Sequence, residues 1–383
     1  MFDHGAQAAQ VLSNARLVTP HGIVEGGVAL DGNRIAGLTR ARDGRDLDGA
    51  YLIPGIVDLH TDHVERHTHP RVGVLWPALP ALLAHDAVII SGGTTTVFDS
   101  LSVGASMQKQ ERRDLFEPLV ATLREAVAQD LFRAQHLLHL RCEISDPATP
   151  GLVDASVNLP ETQLVSVMDH TPGDRQSPDI DQWFWHMIRD MEVHEAEGRR
   201  LMDELFERSR THGKAVRKHV TNAAVRANVP LMSHDDRTVA HVDEALAEGC
   251  TISEFPTTLT AARHARAEGM AIVAGAPNYL RGGSQSGNVA VAELLVEGLV
   301  DVLASDYVPR SPLDAAFAIA ADHAMPYDLP QALALVTQAP ARLTGLHDRG
   351  AIAEGLRADL VAVKQVGGQP VVQAVWREGR QVF

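Results

Sequence analysis

Cysteine is nearly absent: Cys142 and Cys250 are the only two in 383 residues, and they stand in no CxxC or zinc-finger spacing. That excludes a disulfide framework and fits a reduced compartment. The stretch MFDHGAQAAQVLSNARLV has no basic segment followed by an apolar one, so no secretory signal is expected. No apolar run approaches the roughly 18 residues of a membrane-spanning helix. A basic excess is missing too: 34 Lys and Arg stand against 49 Asp and Glu, for a net charge of -15. Charges of both signs are scattered, which excludes the dense basic face needed for non-specific nucleic-acid binding. A cytoplasmic protein with no nucleic-acid or membrane partner is expected, and self-association as a homo-oligomer is left open. The net charge also repels polyanions, so any anion site must be a local positive pocket.

What is present is a change of rhythm. Residues 10–50 read as short strands punctuated by turns at Asp31-Gly32-Asn33 and Asp43-Gly44. From Tyr51 onward, apolar runs alternate with helical stretches. The runs cover 56–60, 94–100, 136–144, 164–170, 230–236, 251–256, 271–278 and 300–306. The segment RRDLFEPLVATLREAVAQD shows the helical kind, with Leu115, Leu119, Leu123 and Val127 at four-residue intervals. Eight strand–helix units in about 250 residues predict an α/β fold of the (β/α)8 barrel type. A doubly wound open sheet fits less well, because no G-x-G-x-x-G opens the first helix. After the eighth run and two helical segments, strand patterning returns at the C-terminus. Residues 1–54 and 347–383 are therefore expected to form one composite β-sandwich, and residues 55–346 the barrel. The long insertion from Thr171 to about Glu207 carries Trp183, Phe184 and Trp185. An aromatic stripe packed on the barrel is favoured over a lid there.

The strand ends carry the chemistry. Barrel sites lie at the C-terminal ends of the strands. His60 and Asp62 follow the first run, Glu143 the third, His170 the fourth, His234 the fifth and Asp306 the eighth. Strand alternation puts His60 and Asp62 on one side, about 7 Å apart along the backbone. Six ionisable groups converging on one point would each cost several kcal/mol to bury unpaired, so a divalent cation is expected. Mixed imidazole and carboxylate ligands suit zinc, manganese or iron, in one or two ions. Such a cation lowers the pKa of a bound water from about 15.7 towards 7, and Asp306 is placed to take its proton. Metal-assisted hydrolysis is the expected reaction class. Cys142 alternates away from Glu143 and reads as core. Asp99 and Asp114 read as helix caps. His63 and His67 lie four apart but read as loop residues. Lys214, Arg217, Lys218 and His219 read as a solvated helix face.

These strand-end residues resemble the amidohydrolase superfamily, as does the tail LVTQAPARLTGLHDRGAIAEGLRADLVAV. Longer motifs are similar to one branch of it, the ribose 1-methylphosphonate 5-triphosphate diphosphatases of the carbon–phosphorus lyase pathway. They include LIPGIVDLHTDHVERH, LVSVMDHTPGDRQ, AEGCTISEFPTT, GAPNYLRGGSQSGNVA and LASDYVPRSPLDAAF. The resemblance implies that His60, Asp62, Glu143, His170 and His234 are metal ligands and that Asp306 is ligand or base. Two departures stand out: Asp62 replaces the second His of the usual H-x-H, and no Lys sits where many members bridge two metals. Glu143 is the candidate for that bridge.

The stretch NYLRGGSQSGN leads into a helical segment and reads as an anion cradle, with Arg281, Gly282, Gly283 and Ser284 as substrate contacts. Arg175 is a second expected phosphate partner. The implied activity cleaves a small anionic sugar-phosphonate triphosphate to its 5-phosphate and pyrophosphate. The alternative is cleavage of a C–N bond in a cyclic amide or N-acyl substrate, and a catalytically idle binding subunit is the more distant rival.

Overall fold

The computed structural model describes residues 10–71, 73–105, 110–175, 177, 179–284 and 287–383, with the side chains of 110–112 excepted. Five strands come first: β1 (Gln10–Thr19), β2 (Gly22–Asp31), β3 (Arg34–Thr39), β4 (Arg45–Asp46) and β5 (Tyr51–Pro54). Eight more follow: β6 (Ile56–Thr61), β7 (Thr94–Val103), β8 (Gln135–Glu143), β9 (Thr162–Met168), β10 (Leu231–His234), β11 (Ile252–Glu254), β12 (Ala271–Gly275) and β13 (Val302–Ala304). The last three are β14 (Leu360–Val366), β15 (Gln369–Arg377) and β16 (Arg380–Gln381).

Strands β6 to β13 pair in sequence order, all in parallel. The segment beyond β13 returns to β6 through a bridge between Thr61 and Asp306. Asp306 N donates to His60 O at 2.9 Å and Asp62 N donates to Asp306 O at 3.0 Å. Buried Asp58 adds a clasp, accepting from Ser305 N at 3.0 Å. This is a (β/α)8 barrel, and its near-continuous apolar strands follow from burial on both faces. Val57, Leu59, Phe98, Leu137, Leu164, Met232, Ile252, Val273 and Val302 fill the interior as one cluster. A second, larger cluster lies between strands and helices and includes Leu138, Leu140 and Cys142 from β8. Leu137, His139, Arg141 and Glu143 therefore face inward, and Cys142 outward as alternation requires.

The chain ends meet in one mixed sheet, with β5 pairing both β1 and β14. Its core gathers Leu12, Leu17, Val28, Leu52, Leu360 and the fully buried Trp376. β5 leads directly into β6, so this sheet anchors the strand that carries His60.

Several local expectations shift. In the helix Gln110–Ala128, Phe116, Leu119, Val120 and Leu123 are buried, whereas Val127 is exposed. Asp114 lies inside that helix and is no cap. Asp99 is no cap either: it is a fully buried residue of β7 paired with two histidines. The insertion forms a helix, Ile180–Asp190, packed on the long helix Glu195–Ala227. Phe184 is buried between them and Trp185 is exposed. A Cβ at Gly198 would come within 2.2 Å of Ile188, so only glycine permits this approach. Arg217, expected on a solvated face, is buried and bonds Glu248 at 2.8 Å.

Candidate active site

β6 delivers His60 and Asp62 through an irregularity. Its register with β7 slips between Asp58 and Thr61, where an extra residue is accommodated. The bulge breaks simple alternation, so Leu59 joins the interior cluster while His60 also reaches inward. His60 Nδ1 lies 2.6 Å from Glu254 Oε1, and His234 Nδ1 lies 2.6 Å from Glu254 Oε2. The two imidazoles stack 5.8 Å apart with an interplanar angle of 19°. Burial opposes charge on Glu254, but the imidazoles of His60 and His234 outweigh it and hold the carboxyl well below its usual range. Both Nδ1 atoms are therefore engaged, which turns each Nε2 to other use. His60 Nε2 is buried and has no hydrogen-bond partner among the described residues. His234 Nε2 lies 3.3 Å from Asp235 Oδ2.

The other strand-end residues assemble around this pair. His170 Nδ1 sits 2.7 Å from Glu143 Oε2, and Ser145 Oγ donates to Glu143 Oε1 at 2.9 Å. His170, His234 and Asp235 each offer an atom within 4.8 Å of the others, as do His60, His139 and Glu254. Asp62 Oδ2 lies 3.9 Å from Arg141 Nη1. Burial pushes the carboxyl of Asp306 above its usual range, against the opposing pull of His60. The orphaned His60 nitrogen and the mixed nitrogen and oxygen donors fit a divalent cation.

The strand ends are also conformationally demanding. Asp235, Phe255 and Asp306 follow β10, β11 and β13 with φ of 57°, 55° and 53°. Left-handed backbone at non-glycine residues is uncommon, and three such residues facing one mouth mark a site where geometry outweighs local strain.

Three residues that carry the site escaped sequence reasoning. Glu254 was hidden inside TISEFP, where its place at the end of a strand was the available signal. His139 is a buried floor residue, satisfied by Ser100 Oγ at 3.0 Å and Ser166 Oγ at 2.9 Å. Its burial, with the nearby charges, drops its pKa to about 3, so it stays neutral. Arg141 lies two residues before Glu143 and is buried, with Nε and Nη1 lacking hydrogen-bond partners among the described residues.

The anion side divides. Arg281, Gly283 and Ser284 line a cavity of about 100 Å³ that is also lined by Asp235 and Asp306. Arg281 Nη1 donates to Tyr307 Oη at 3.2 Å, and Gly282, next to Arg281, takes a φ of 75° that suits glycine. Gln285 and Ser286 fall outside the described residues. Arg175 is not brought to this cavity. Its guanidinium is buried and bonds Asp236 Oδ1 at 2.7 Å and Glu244 Oε2 at 3.2 Å. Asp236 also accepts from Ser233 Oγ at 2.7 Å and Ser253 Oγ at 3.0 Å. Those carboxylates saturate Arg175, so its expected phosphate contact is replaced by a clamp across β10 and β11.

Comparison with known proteins agrees with this geometry. Residues 182–383 match the model of the family described as "Amidohydrolase family". The chain is 37% identical, over 97% of its length and 100% of the relative's, to the alpha-D-ribose 1-methylphosphonate 5-triphosphate diphosphatase of Escherichia coli strain K12. Among solved structures it is similar to N-isopropylammelide isopropylaminohydrolase from Burkholderia multivorans, with a TM-score of 0.64 at 19% identity over 98% of each chain. A Xaa-Pro dipeptidase with bound methionine superposes with a TM-score of 0.65 at 14% identity, over 98% of this chain and 99% of that one. These two likenesses speak for the fold alone. The chain belongs to the amidohydrolase family.

Proposed function

We propose that this hydrolase cleaves α-D-ribose 1-methylphosphonate 5-triphosphate to the 5-phosphate and pyrophosphate, in phosphonate catabolism. The observation that carries the reading is one cavity lined both by the strand-end carboxylates Asp235 and Asp306 and by the Arg281–Ser284 loop. The 37% identity to a diphosphatase, over 97% of this chain, supports the same substrate class.

His60 and His234 through Nε2, with Asp62, Glu143, His170 and Asp306, would hold one or two divalent ions, zinc, manganese or iron. Asp235 joins that set by its position beside His234. When bound, such a cation supplies Lewis acidity to a coordinated water and to a phosphoryl oxygen. Glu254 fixes the rotation and tautomer of both imidazoles, as carboxylates commonly do behind metal-binding histidines. Asp306 accepts a proton from the attacking water, whose oxygen bonds to the α-phosphorus as the bond to the bridging oxygen breaks. Pyrophosphate leaves and the ribose 5-phosphate stays. Arg281, on the turn in which Gly282 N donates to Tyr279 O and Gly283 N to Asn278 O, binds the polyphosphate beside Ser284 and offsets charge that grows towards the transition state. Buried Arg141 places a second guanidinium beside Asp62, where it faces anionic substrate. These local cations answer the repulsion expected from the net charge of -15. Buried thiols at Cys142 and Cys250 suit a cytoplasmic setting.

Phosphorus NMR of the metal-loaded enzyme with the ribose triphosphonate tests this, with Asp306→Asn as control. Pyrophosphate from the native enzyme and none from the variant is the expected result. Orthophosphate instead would move the attack to the terminal phosphorus. No turnover of the triphosphate, with hydrolysis of N-acyl or cyclic amide substrates, would replace the phosphate reading by C–N cleavage.

A further inference from the structure

A second group of histidines lies outside the barrel, and no step above uses it. One turn of helix, α1 (Val64–Thr68), follows β6, and α2 (Ala78–Ser91) packs against it. His63 occupies the N-cap position of α1, without a side-chain capping bond, and His67 lies on its last turn, so the pair stands four apart on a helical turn, not in a loop. Their rings meet at 4.9 Å. From α2 comes His85, which is fully buried, with its ring 5.8 Å from His63 and 6.1 Å from His67.

Each of the three has one buried nitrogen with no hydrogen-bond partner among the described residues: His63 Nδ1, His67 Nε2 and His85 Nδ1. A buried polar atom left without a partner is costly, and such groups are rare in native proteins. Three in one place call for a common partner. A ligand atom from each histidine lies within 4.8 Å of the others. A tetrahedron of metal–nitrogen bonds about 2.0–2.1 Å long needs roughly 3.4 Å between ligand nitrogens, so the three rings draw together to complete it. His63 and His67 are only half-buried, which leaves them room to close and leaves an entry path.

The support behind His85 is of the kind that metal-binding histidines have. Its Nε2 lies 2.9 Å from Asp99 Oδ1, which fixes the proton on Nε2 and leaves Nδ1 as a lone pair. Asp99 is itself held by His136 Nδ1 at 2.7 Å, and His136 Nε2 lies 3.3 Å from Asp86 Oδ1. Backbone N–H groups of Arg133 and Ala134 each donate to Asp86 at 2.9 Å. The chain of partners thus ends on the fixed backbone. On β7, Ser100 faces His139 inside the barrel, so its neighbour Asp99 faces the outer layer. The group shares no residue with the barrel mouth.

We infer that His63, His67 and His85 bind one zinc ion that ties the turn after β6 to α2. Three imidazoles with neither thiolate nor carboxylate favour a borderline cation over calcium or magnesium, which seek oxygen. The ion would hold the backbone directly beyond Asp62, the segment on which the mouth geometry depends.

The test isolates the outer site. In apo-protein carrying His60→Asn and His234→Asn, calorimetric titration with zinc should show one site, and adding His67→Asn should weaken it more than about 100-fold. That loss exceeds the 10–100-fold typical of an outer-shell partner. His67→Cys should restore binding, because thiolate is also a zinc ligand. In the otherwise native chain, metal analysis should find one zinc fewer per molecule with His67→Asn than without it. Zinc affinity and content indifferent to His67 in folded protein would overturn the assignment. So would cobalt loading of the mouth-deleted variant that yields no tetrahedral visible spectrum.

Discussion

Glu254 Oε1 lies 2.6 Å from His60 Nδ1, and the other oxygen of the same carboxylate reaches His234 at an equal distance. One side chain thereby sets the orientation of two imidazoles from strands on different sides of the barrel. Removing its charge while keeping its shape separates this role from packing. Glu254→Gln should weaken metal binding at the mouth by about 10–100-fold, with little change in the circular dichroism spectrum. Competition against a metal-sensitive chelator measures it, and unchanged affinity would show that the histidines orient themselves.

Arg281 lines the cavity beside Asp306 and bonds Tyr307. A charge-assisted hydrogen bond to phosphate is worth about 1.5–3 kcal/mol. Arg281→Ala should therefore lower kcat/KM by roughly 10–100-fold, and Arg281→Lys should recover only part of it because the planar fork is lost. Steady-state kinetics with the triphosphate read this directly. Equal loss on a neutral amide substrate would argue against a phosphate contact.

Arg175 behaves differently. It is buried against Asp236 and Glu244, so its truncation leaves a buried carboxylate uncompensated. Arg175→Met should cost about 3–5 kcal/mol of stability. In thermal unfolding the midpoint should drop by several degrees, while KM of the folded enzyme changes little. A rise in KM with no loss of stability would return Arg175 to the substrate.

The outer layer gives stability a pH dependence. Burial opposes charge on His136, but Asp99 and Asp86 outweigh it and raise its pKa from 6.5 to about 9. A raised pKa means that the folded state holds the proton more tightly than the unfolded chain. The stabilisation is complete below about pH 6.5 and is lost as pH rises through 9. The span corresponds to roughly 3 kcal/mol. Denaturant titrations from pH 6 to pH 10 should show this decline, and His136→Gln should flatten it. A native curve as flat as the variant's would count against the charged pair.

Much of the site was legible because barrel topology turns local sequence into global position. His60, Glu143, His170, His234 and Asp306 each end an apolar run, and closing the barrel makes strand ends neighbours. Legibility failed where a residue's meaning depends on what packs against it. Asp99 resembled a cap, yet the histidines it holds come from α2 and β8, 14 and 37 residues away. Arg175 and Arg281 offered the same charge, and only the carboxylates of Asp236 and Glu244 distinguish a buried clamp from a side chain that lines the cavity.

The order of apolar runs was enough to determine the eight parallel strands and the ionisable residue types gathered at their C-terminal ends, because period and burial are local properties of the chain. Tertiary structure alone decided that Glu254 stands behind His60 and His234, that the bulge in β6 turns His60 inward, and that three histidines meet outside the barrel. Each is a relation between side chains brought together by packing. No periodicity encodes such a relation, since it exists only once distant backbone segments have taken their fixed positions.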